Sequence, residues 1–510
     1  MEYARSADGL PHPRFDTRQH QHASERDEAY DFLADISLPK DAITTIDLKR
    51  LRRKIDWYIV PVMFLCYTMQ FCDKVSLNYA AVMGLTEDLK LKGDEYSNAA
   101  SAFFYAYLAA ELPTGYILNK IPAGKWLGLN VILWGITTAC TAAAHDYHTL
   151  LVARICLGLF EAAIAPCLML ISSQHYTKSE QAPRFSFWYC GLGVGQIVGG
   201  AVSYGFQNVK NPSLQGWRTM FVTLGAVTVV IGFATTLLIP DSPVKAKFMN
   251  EVEKAALLHH VSKNRTGVEN KAFRPRHILE LVKDIQIYLL CLITICVSIP
   301  SGVVSSFSAT LIRNIGYRPA QATLLNMPSG FVSIFATLLV GFGVRHSSNR
   351  WAWIVACCIP GILGGALMSF LPSEQSHANK AGLLAGIYLI NFIVPTVSIL
   401  YQWTASNIAG STKRAVSTAL VSAAFGVGNI IGPQTFRAHD APQYVPAKIA
   451  VLVSQATGAC LAVVLFGYYW LSNARKEGAR AGRDGEDIEL SPSIWENLTD
   501  KEDVKFRYVY

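Results

Sequence analysis

Residues 71–80 read FCDKVSLNYA and lie inside a stretch that is otherwise apolar, with WYIVPVMFLCYTMQ before them and AVMGL after them. Asp73 and Lys74 therefore stand side by side within a segment long enough to cross a membrane. A charged side chain at the centre of a bilayer costs roughly 2.5–3.5 kcal/mol even on insertion scales. Another feature of the chain must compensate these two charges.

The composition is that of a membrane protein. Of the 510 residues, 51% are hydrophobic and 16% are charged, whereas soluble domains contain about 25% charged residues. Apolar stretches of about 20 residues, the length that crosses a bilayer, recur along the chain. We predict an all-α polytopic membrane protein with twelve transmembrane helices. The predicted spans are 55–83, 97–119, 126–144, 149–173, 185–206, 219–239, 285–312, 322–344, 352–371, 382–406, 415–436 and 447–471.

The cysteines and the net charge exclude several kinds of site. All eleven cysteines fall within the apolar spans, where they pack as small hydrophobic residues. Their spacing indicates neither a disulfide framework nor a metal site, so we expect no metal and no cofactor. We attribute the net charge of +8 to basic residues that flank the membrane rather than to nucleic-acid binding. The expected partners are the lipid bilayer and a small-molecule substrate, and the chain is expected to be a monomer.

Basic residues predict the orientation of the chain. They cluster at 49–54, in the polar loop 240–284 and at 475–483. With twelve spans these segments share one side, which the positive-inside bias makes cytoplasmic. We expect both termini in the cytoplasm, a plasma-membrane location and, because polar residues precede the first span, no cleavable signal peptide. The predicted domains are a disordered N-terminal tail (1–50), a six-helix bundle (51–240), a central loop (241–284), a second six-helix bundle (285–472) and a C-terminal tail (473–510).

Two pairs of motifs indicate an internal repeat. Residues 120–126, KIPAGKW, match residues 345–351, RHSSNRW, and GVGQIVGG at 193–200 matches GVGNIIGP at 426–433. The members of each pair lie six predicted spans apart. Two six-helix bundles arranged in this way are the parallel-repeat layout of major facilitator transporters, which bind substrate near the bilayer midplane between the halves.

A second pair of charges answers the question that Asp73 and Lys74 raise. The fourth span contains Arg154 and Glu161, seven residues apart, which is two helical turns, about 10 Å along one face. Two acids and two bases can neutralise one another in a shared polar cavity. The alternative is that the pairs only hold helices together. Because buried ion pairs seldom stabilise more than apolar residues would, we favour a role in moving protons.

The spans of the second half contain neutral polar residues in place of mid-membrane charges. We expect these side chains to select the substrate through hydrogen bonds and shape. They are Ser305, Ser306, Ser308, Asn326, Asn391, Gln402, Asn407 and Asn429, of which Ser306, Gln402, Asn407 and Asn429 are the substrate-binding candidates.

Several motifs resemble those of a known family. FCDKVSLNYA at 71–80 and RICLGLFEAAIAP at 154–166 resemble the first and fourth spans of the anion:cation symporter branch of the major facilitator superfamily. ATLLNMPSG at 322–330 and NLTDKEDVKFRYVY at 497–510 look like the allantoate permease family typical of fungi. The resemblance covers about residues 50–510.

The resemblance implies proton-coupled symport, by alternating access, of a small organic anion or vitamin-like carboxylate such as allantoate, nicotinate or pantothenate. By position, Asp73 and Glu161 look like the protonatable pair, and Arg154 looks like the cation that tunes Glu161. Lys74 stands where the branch often has the arginine that meets the substrate carboxylate, and Tyr107 matches a substrate-facing tyrosine. The lysine ammonium is a point charge, whereas the arginine guanidinium forms a bidentate fork. We therefore expect less strict selection for the geometry of the substrate carboxylate.

The loop after the second span departs from the superfamily pattern. Asn119 stands where an aspartate is usual and Pro122 where a glycine is usual. This argues against the gating salt bridge that the loop often makes, though not against transport.

Other functions remain open at this stage. An exporter of an organic acid or secondary metabolite would show the same fold and charges. A non-transporting nutrient sensor would normally carry a long signalling extension. An enzyme is not expected, because the sequence shows no nucleophile–base pair and no cluster of metal ligands.

Overall fold

The computed structural model describes residues 46–118, 120–208, 214–262, 275–347, 349–372, 377–409, 411–481, 499–502 and 506–510, and in these residues the regular structure is helical, without strands. The principal helices are α1 (Leu48–Val82), α2 (Glu95–Leu118), α3 (Ala123–Thr141), α4 (Tyr147–Glu161), α5 (Ile164–His175), α6 (Lys178–Tyr189), α7 (Gly191–Asn208), α8 (Gly216–Leu238), α9 (Glu251–Ser262), α10 (Pro275–Val282), α11 (Ile285–Asn314), α12 (Pro319–His346), α13 (Arg350–Phe370), α14 (His377–Ile390), α15 (Thr396–Asn407), α16 (Ser411–Gln434) and α17 (Val445–Ala481).

The all-helical fold is confirmed, and the predicted count of twelve spans is compatible with it. Ten helical segments of the described chain are long and apolar enough to cross a membrane. The two other predicted spans form α2 and α3, which are less apolar. Glu111 and several tyrosines lower the apolar character of α2, as Lys125 and Asn130 lower that of α3.

Three of the predicted spans are interrupted helices. The fourth breaks between α4 and α5 directly after Glu161, and the fifth breaks between α6 and α7 at Cys190. The tenth passes from α14 to α15 through a 3₁₀ turn, Asn391–Ile393. Ala162, Ala163 and Cys190, at the first two breaks, keep helical backbone angles, so these breaks are local irregularities in the helical hydrogen bonding. The break after Glu161 thus falls beside the predicted charges.

The chain segments next to the termini meet on one side of the helices, here called the terminus face. The start of α1 pairs with α9 through Lys54 and Glu253, at 2.8 Å between Nζ and Oε2. The start of α16 pairs with α10 and with the last described residues through Lys413, whose Nζ lies 2.8 Å from Glu280 and 2.7 Å from Asp500. The three basic segments therefore lie on one face, as expected from twelve spans.

The terminus face is more ordered than the sequence suggests. The predicted central loop includes the helices α9 and α10, and α17 continues to Ala481. The predictions for residues 1–45, Asn119, 263–274 and 482–498 lie outside the described residues. The boundaries of the five predicted domains stay predictions.

Hydrogen bonds join the two halves of the chain at the opposite face. Asn78 of α1 donates to the hydroxyl of Ser308 in α11 at 3.0 Å. Tyr96 of α2 donates to the Ser306 carbonyl at 2.8 Å, and Ser97 and Ser101 of α2 donate to backbone carbonyls at Phe436 and Ile430. The central cavity is therefore closed on this side.

The helices α7 and α12 make a backbone contact between the halves. A Cβ atom at Gly193 would lie 2.4 Å from the Gly330 carbonyl oxygen, and a Cβ atom at Gly330 would lie 2.4 Å from the Gly193 carbonyl oxygen. Such distances leave no room for a side chain at either position. Part of the glycine motif of the fifth span therefore faces the other half, whereas Gly428 of the eleventh span packs against α11 within its own half.

Candidate functional site

A cavity lies between the two halves and is lined mainly by apolar and aromatic side chains. Among the described residues that line it, Lys74 alone is charged. A mostly apolar cavity with a few convergent polar groups is the usual form of a small-molecule site. The first half contributes Tyr67, Phe71, Lys74, Phe104, Tyr189 and Leu192, and the second half contributes Val297, Ser301, Val304, Ser305, Asn391, Ile393, Val394, Val397, Phe425 and Asn429.

Lys74 connects this cavity to a buried acid. Its Nζ lies 4.0 Å from Oε2 of Glu161, and the Glu161 side chain has no exposed surface. Neither carboxylate oxygen of Glu161 has a hydrogen-bond partner within the described part of the chain. A buried charge without hydrogen bonds is costly, so Glu161 depends on the positive charges beside it.

Asp73 and Arg154 complete the group, which is called here the α1–α4 charge cluster (Asp73, Lys74, Arg154 and Glu161). The hydroxyl of Thr138 donates to Oδ1 of Asp73 at 3.1 Å. Oδ2 of Asp73 and Nε of Arg154 are buried and have no hydrogen-bond partner among the described residues. Three of the four members therefore keep unused hydrogen-bonding capacity inside the protein.

Close packing of α2 against α4 explains why aromatic rings flank the cluster. A Cβ atom at Gly158 would lie 2.2 Å from the Phe103 carbonyl oxygen, so only glycine lets the helices approach this closely. Phe103 and Tyr107 stand one turn apart on α2, and the Nζ of Lys74 lies 5.5 and 5.6 Å from their ring centroids. Cation–π attraction at this range helps hold Lys74 in place.

The structure brings together some of the predicted residues and separates others. Lys74 lies beside Glu161 and Tyr107, and Asn429 lines the cavity. Arg154 lies over the ring of Phe103 that also flanks Lys74, and it interacts electrostatically with Asp73. Ser306 is buried outside the lining, where its carbonyl accepts the bond from Tyr96, while its neighbour Ser305 lines the cavity.

Gln402 and Asn407 are also outside the cavity lining. Gln402 is half-buried on α15. Asn407 lies at the terminus face, where its Nδ2 donates to the Val509 carbonyl at 2.8 Å and its Oδ1 accepts from the Val509 amide at 2.7 Å. Both polar ends of Asn407 are therefore used by the C-terminal segment.

Sequence reasoning missed a second set of buried charges, the Lys413 cluster (Glu280, Asp284, Lys413 and Asp500). The Lys413 side chain is fully buried, and its Nζ lies 2.7–2.8 Å from a carboxylate oxygen of each acid. The three acids are close enough together to hold a metal ion, but the ammonium of Lys413 already supplies the cation. Lys413 looked like one more basic residue at a span end, and nothing local in the sequence pairs it with Asp500.

Glu111 is the other charged residue that sequence reasoning missed. It lies on α2, half-buried, and its Oε1 accepts a hydrogen bond from Ser422 of α16. An acid within the predicted span 97–119 is the same signal that identified Glu161 in its own span.

Comparisons with known proteins agree with this fold. The model of the family described as Major Facilitator Superfamily matches residues 63–433. A bacterial homologue of the human lysosomal transporter Spinster has a TM-score of 0.58 and 18% identity, covering 83% of this chain and 97% of its own. The xylose transporter XylE from E. coli has a TM-score of 0.61 and 14% identity, covering 81% and 99%. At these identities the likeness concerns the fold.

Relatives among fungal transporters are more similar in sequence. The thiamine pathway transporter THI73 of Saccharomyces cerevisiae is 36% identical over 467 residues, covering 90% of this chain and 86% of the relative. The allantoate permease of the same yeast is 32% identical over 483 residues, covering 91% and 87%. These relatives are transporters, not enzymes. The chain therefore belongs to the major facilitator superfamily, within the group of fungal multi-pass membrane transporters that includes allantoate permease.

Proposed function

We propose that the chain is a proton-coupled symporter that imports a small organic anion, such as a vitamin-like carboxylate, by alternating access. The observation that carries the proposal is the position of Lys74, which lines the cavity and lies 4.0 Å from Glu161. Its ammonium can pair with a carboxylate in the cavity or with Glu161. Because one ammonium serves both anions, binding of the substrate weakens its hold on Glu161.

This competition links the substrate to the proton. When a substrate carboxylate draws Lys74 away, the ionised form of Glu161 loses its nearest cation and becomes costly to keep buried. A proton then adds to a carboxylate oxygen of Glu161 and makes it neutral. When the substrate leaves on the other side, Lys74 returns to Glu161 and the proton is released. Asp73 acts as the second protonatable acid, and Arg154 tunes Glu161.

The remaining roles follow from position. Tyr107 packs beside Lys74, and Asn429 offers hydrogen bonds to the substrate from the second half. The basic segments of the terminus face support a cytoplasmic position for both termini in the plasma membrane, with the chain acting as a monomer. In this arrangement the closed opposite face is the outer one, and the structure corresponds to a state without access from outside.

The test is an uptake screen of labelled carboxylates in yeast cells that lack their own carboxylate permeases. We expect accumulation of at least one of them against its gradient, loss of accumulation when an uncoupler removes the proton gradient, and inward movement of protons with the substrate. Accumulation that persists without a proton gradient would exclude the proposed coupling.

Two alternatives concern the substrate and the direction of transport. The name of the yeast relative THI73 suggests a compound of the thiamine pathway as an alternative substrate. Thiamine itself is a cation. Among the described residues that line the cavity, the charged one is the cation Lys74, which favours an anionic substrate. An exporter of an organic acid or secondary metabolite would deplete preloaded cells of the compound instead of accumulating it, so the same cells distinguish the two directions.

A further inference from the structure

Glu111 is an acid within the membrane that the mechanism above does not use. It follows Tyr107 by four residues on α2, so the two side chains lie on the same face of the helix, one turn apart. The ring of Tyr107 lies 5.6 Å from Nζ of Lys74. Glu111 is therefore the next acidic group beyond the α1–α4 charge cluster along this face.

A chain of hydrogen bonds connects Glu111 to the other half of the protein. The hydroxyl of Tyr401 in α15 donates to Ser422 in α16 at 3.0 Å, and Ser422 donates to Oε1 of Glu111. Glu111 belongs to the first half, whereas Ser422 and Tyr401 belong to the second. This contact therefore joins the halves directly.

The contact lies between the cavity and the terminus face. The helix α2 runs towards the terminus face, and Glu111 follows the cavity residue Phe104 by seven residues. The helix α16 runs away from that face, and Ser422 precedes the cavity residue Phe425 by three. On both helices, then, the contact is nearer to the terminus face than the cavity lining is.

We propose that Glu111 is a gating residue of the transport cycle. In its ionised form the carboxylate accepts a charge-assisted hydrogen bond from Ser422, which holds α2 against α16 and closes the passage from the cavity to the terminus face. When a proton from water adds to a carboxylate oxygen, Glu111 becomes neutral, this hydrogen bond weakens and the helices separate. The proposal rests on the proposed transport function and adds the residue that connects proton binding to opening.

The charges around Glu111 give the gate its link to the substrate. Lys74 of α1 acts on Glu111 electrostatically. When a substrate anion pairs with Lys74, the attraction between Lys74 and the carboxylate of Glu111 weakens. The other titratable or charged groups on the helices packed around it include Tyr107 on its own helix, Arg154 and Glu161 on α4, His175 on α5, Tyr401 on α15, and Lys413 and Arg414 on α16.

The test measures opening without any substrate. A cysteine is placed in the cavity by Ser301→Cys, and its reaction with a maleimide reagent is followed in the purified full-length protein at a series of pH values, relative to the chain without that cysteine. Because maleimides react with the thiolate, whose fraction falls with the pH, each rate is divided by the rate for the unfolded variant at the same pH. We expect this normalised labelling to become faster as the pH falls. Glu111→Gln and Ser422→Ala should make labelling about tenfold faster at neutral pH, the effect of losing one hydrogen bond to a charged group. Glu111→Asp should restore the pH dependence.

Two matched controls separate gating from structure. Glu87→Gln neutralises an exposed acid that also faces the second half, 3.8 Å from Arg313, at the opposite face. Thr418→Ala removes an exposed hydroxyl that bonds within α16. Neither should change labelling. A parental pH dependence retained in Glu111→Gln, with or without lower thermal stability, would overturn the proposal. Because the assay contains neither substrate nor gradient, it can succeed even if uptake proves independent of protons.

Discussion

The two buried charge clusters differ in how fully their polar atoms are bonded. In the Lys413 cluster, the lysine contacts a carboxylate oxygen of all three acids at 2.7–2.8 Å. In the α1–α4 charge cluster, the closest cation–anion pair, Lys74 and Glu161, is 4.0 Å apart, and buried atoms of Asp73, Arg154 and Glu161 have no hydrogen-bond partner within the described chain. The first cluster also includes the C-terminal segment, whereas the second borders the cavity.

This difference indicates which cluster stabilises the structure and which one can change during transport. A buried lysine that already contacts three carboxylates has no hydrogen-bond donor left for another partner, and removing a partner leaves uncompensated charge. An under-bonded carboxylate can gain or lose a proton, or exchange its partner, with little loss of hydrogen bonding. We therefore propose a structural role for the Lys413 cluster and the transport role for the α1–α4 charge cluster. Five experiments test this assignment.

The largest expected effect is that of Glu161→Gln. The variant should fold and still exchange labelled substrate, but its accumulation ratio should fall to about one, because an uncharged amide cannot carry the proton that drives uphill transport. Uptake and counterflow in cells measure the two properties. Glu87→Gln, at an exposed acid, is the control. Uphill accumulation by both Glu161→Gln and Asp73→Asn would contradict the transport role of the α1–α4 charge cluster.

The second effect is that of Lys413→Met on stability. Three acids would remain around an uncharged side chain, and breaking a buried ion cluster in this way costs about 3–5 kcal/mol. Thermal unfolding of the purified protein measures the change. The control is Lys501→Met, because Lys501 lies 3.2 Å from Asp284 but is partly exposed. Equal melting temperatures for the two variants would contradict the structural role.

The third effect concerns Lys74, the member of the α1–α4 charge cluster that lines the cavity. Lys74→Gln should weaken the binding of a carboxylate substrate about tenfold to a hundredfold, the contribution of a hydrogen bond to a charged group, and should affect the neutral amide far less. Competition assays compare acid and amide. Equal weakening of both would show that Lys74 only balances its neighbours. Lys74→Arg should keep the charge and change the substrate preference.

The fourth effect separates the neutral polar residues by position. Asn429→Ala should change which carboxylates compete by a few-fold, about one hydrogen bond, because Asn429 lines the cavity. Asn407→Ala should leave the competition profile unchanged and lower the melting temperature, because Asn407 binds the backbone of Val509. The reverse pattern would show that the cavity has been placed wrongly.

The smallest expected effect is the change with pH in the contribution of Asp284 to the free energy of unfolding. Burial tends to raise the pKa of this carboxyl, but hydrogen bonds from Lys413 and Gln286 outweigh it and lower the pKa. A lowered pKa in the folded state stabilises the protein above the unfolded-state pKa, and this stabilisation is lost as the pH falls through the folded-state pKa. The stability difference between the parent and Asp284→Asn should be about 1 kcal/mol at neutral pH, should begin to shrink near the unfolded-state pKa of about 4, and should vanish only below the lower folded-state pKa. A difference that is constant with pH would contradict this.

Features that contrast with an apolar stretch of sequence could be predicted from the sequence alone. The spans follow from hydropathy, and Asp73, Lys74, Arg154 and Glu161 stand out because charges inside spans are rare. Glu111 carried the same signal in α2. It was overlooked because that span is less apolar, so that a charge within it contrasts less with its neighbours.

The features that depend on contacts between distant residues could not be predicted. Asp500 bonds to Lys413 across 87 positions and Val509 to Asn407 across 102, and no local pattern records such a pairing. Asn407 and Gln402 are polar residues within a predicted span, but composition does not tell which side of a helix faces a cavity. The aromatic lining of the cavity was missed for the same reason.

The paired glycines of α7 and α12 have a consequence for the way in which the halves can move. Since the backbones of Gly193 and Gly330 touch, with the side chains of Ile334 and Ile197 packed against the opposite glycines, the two halves are in closest contact at this crossing. A rotation about this point would displace these atoms least, whereas contacts farther from it must break and reform. The crossing is thus suited to be the point about which the two halves rotate. Even one added methyl group there, as in Gly330→Ala, would slow the rotation without touching the cavity.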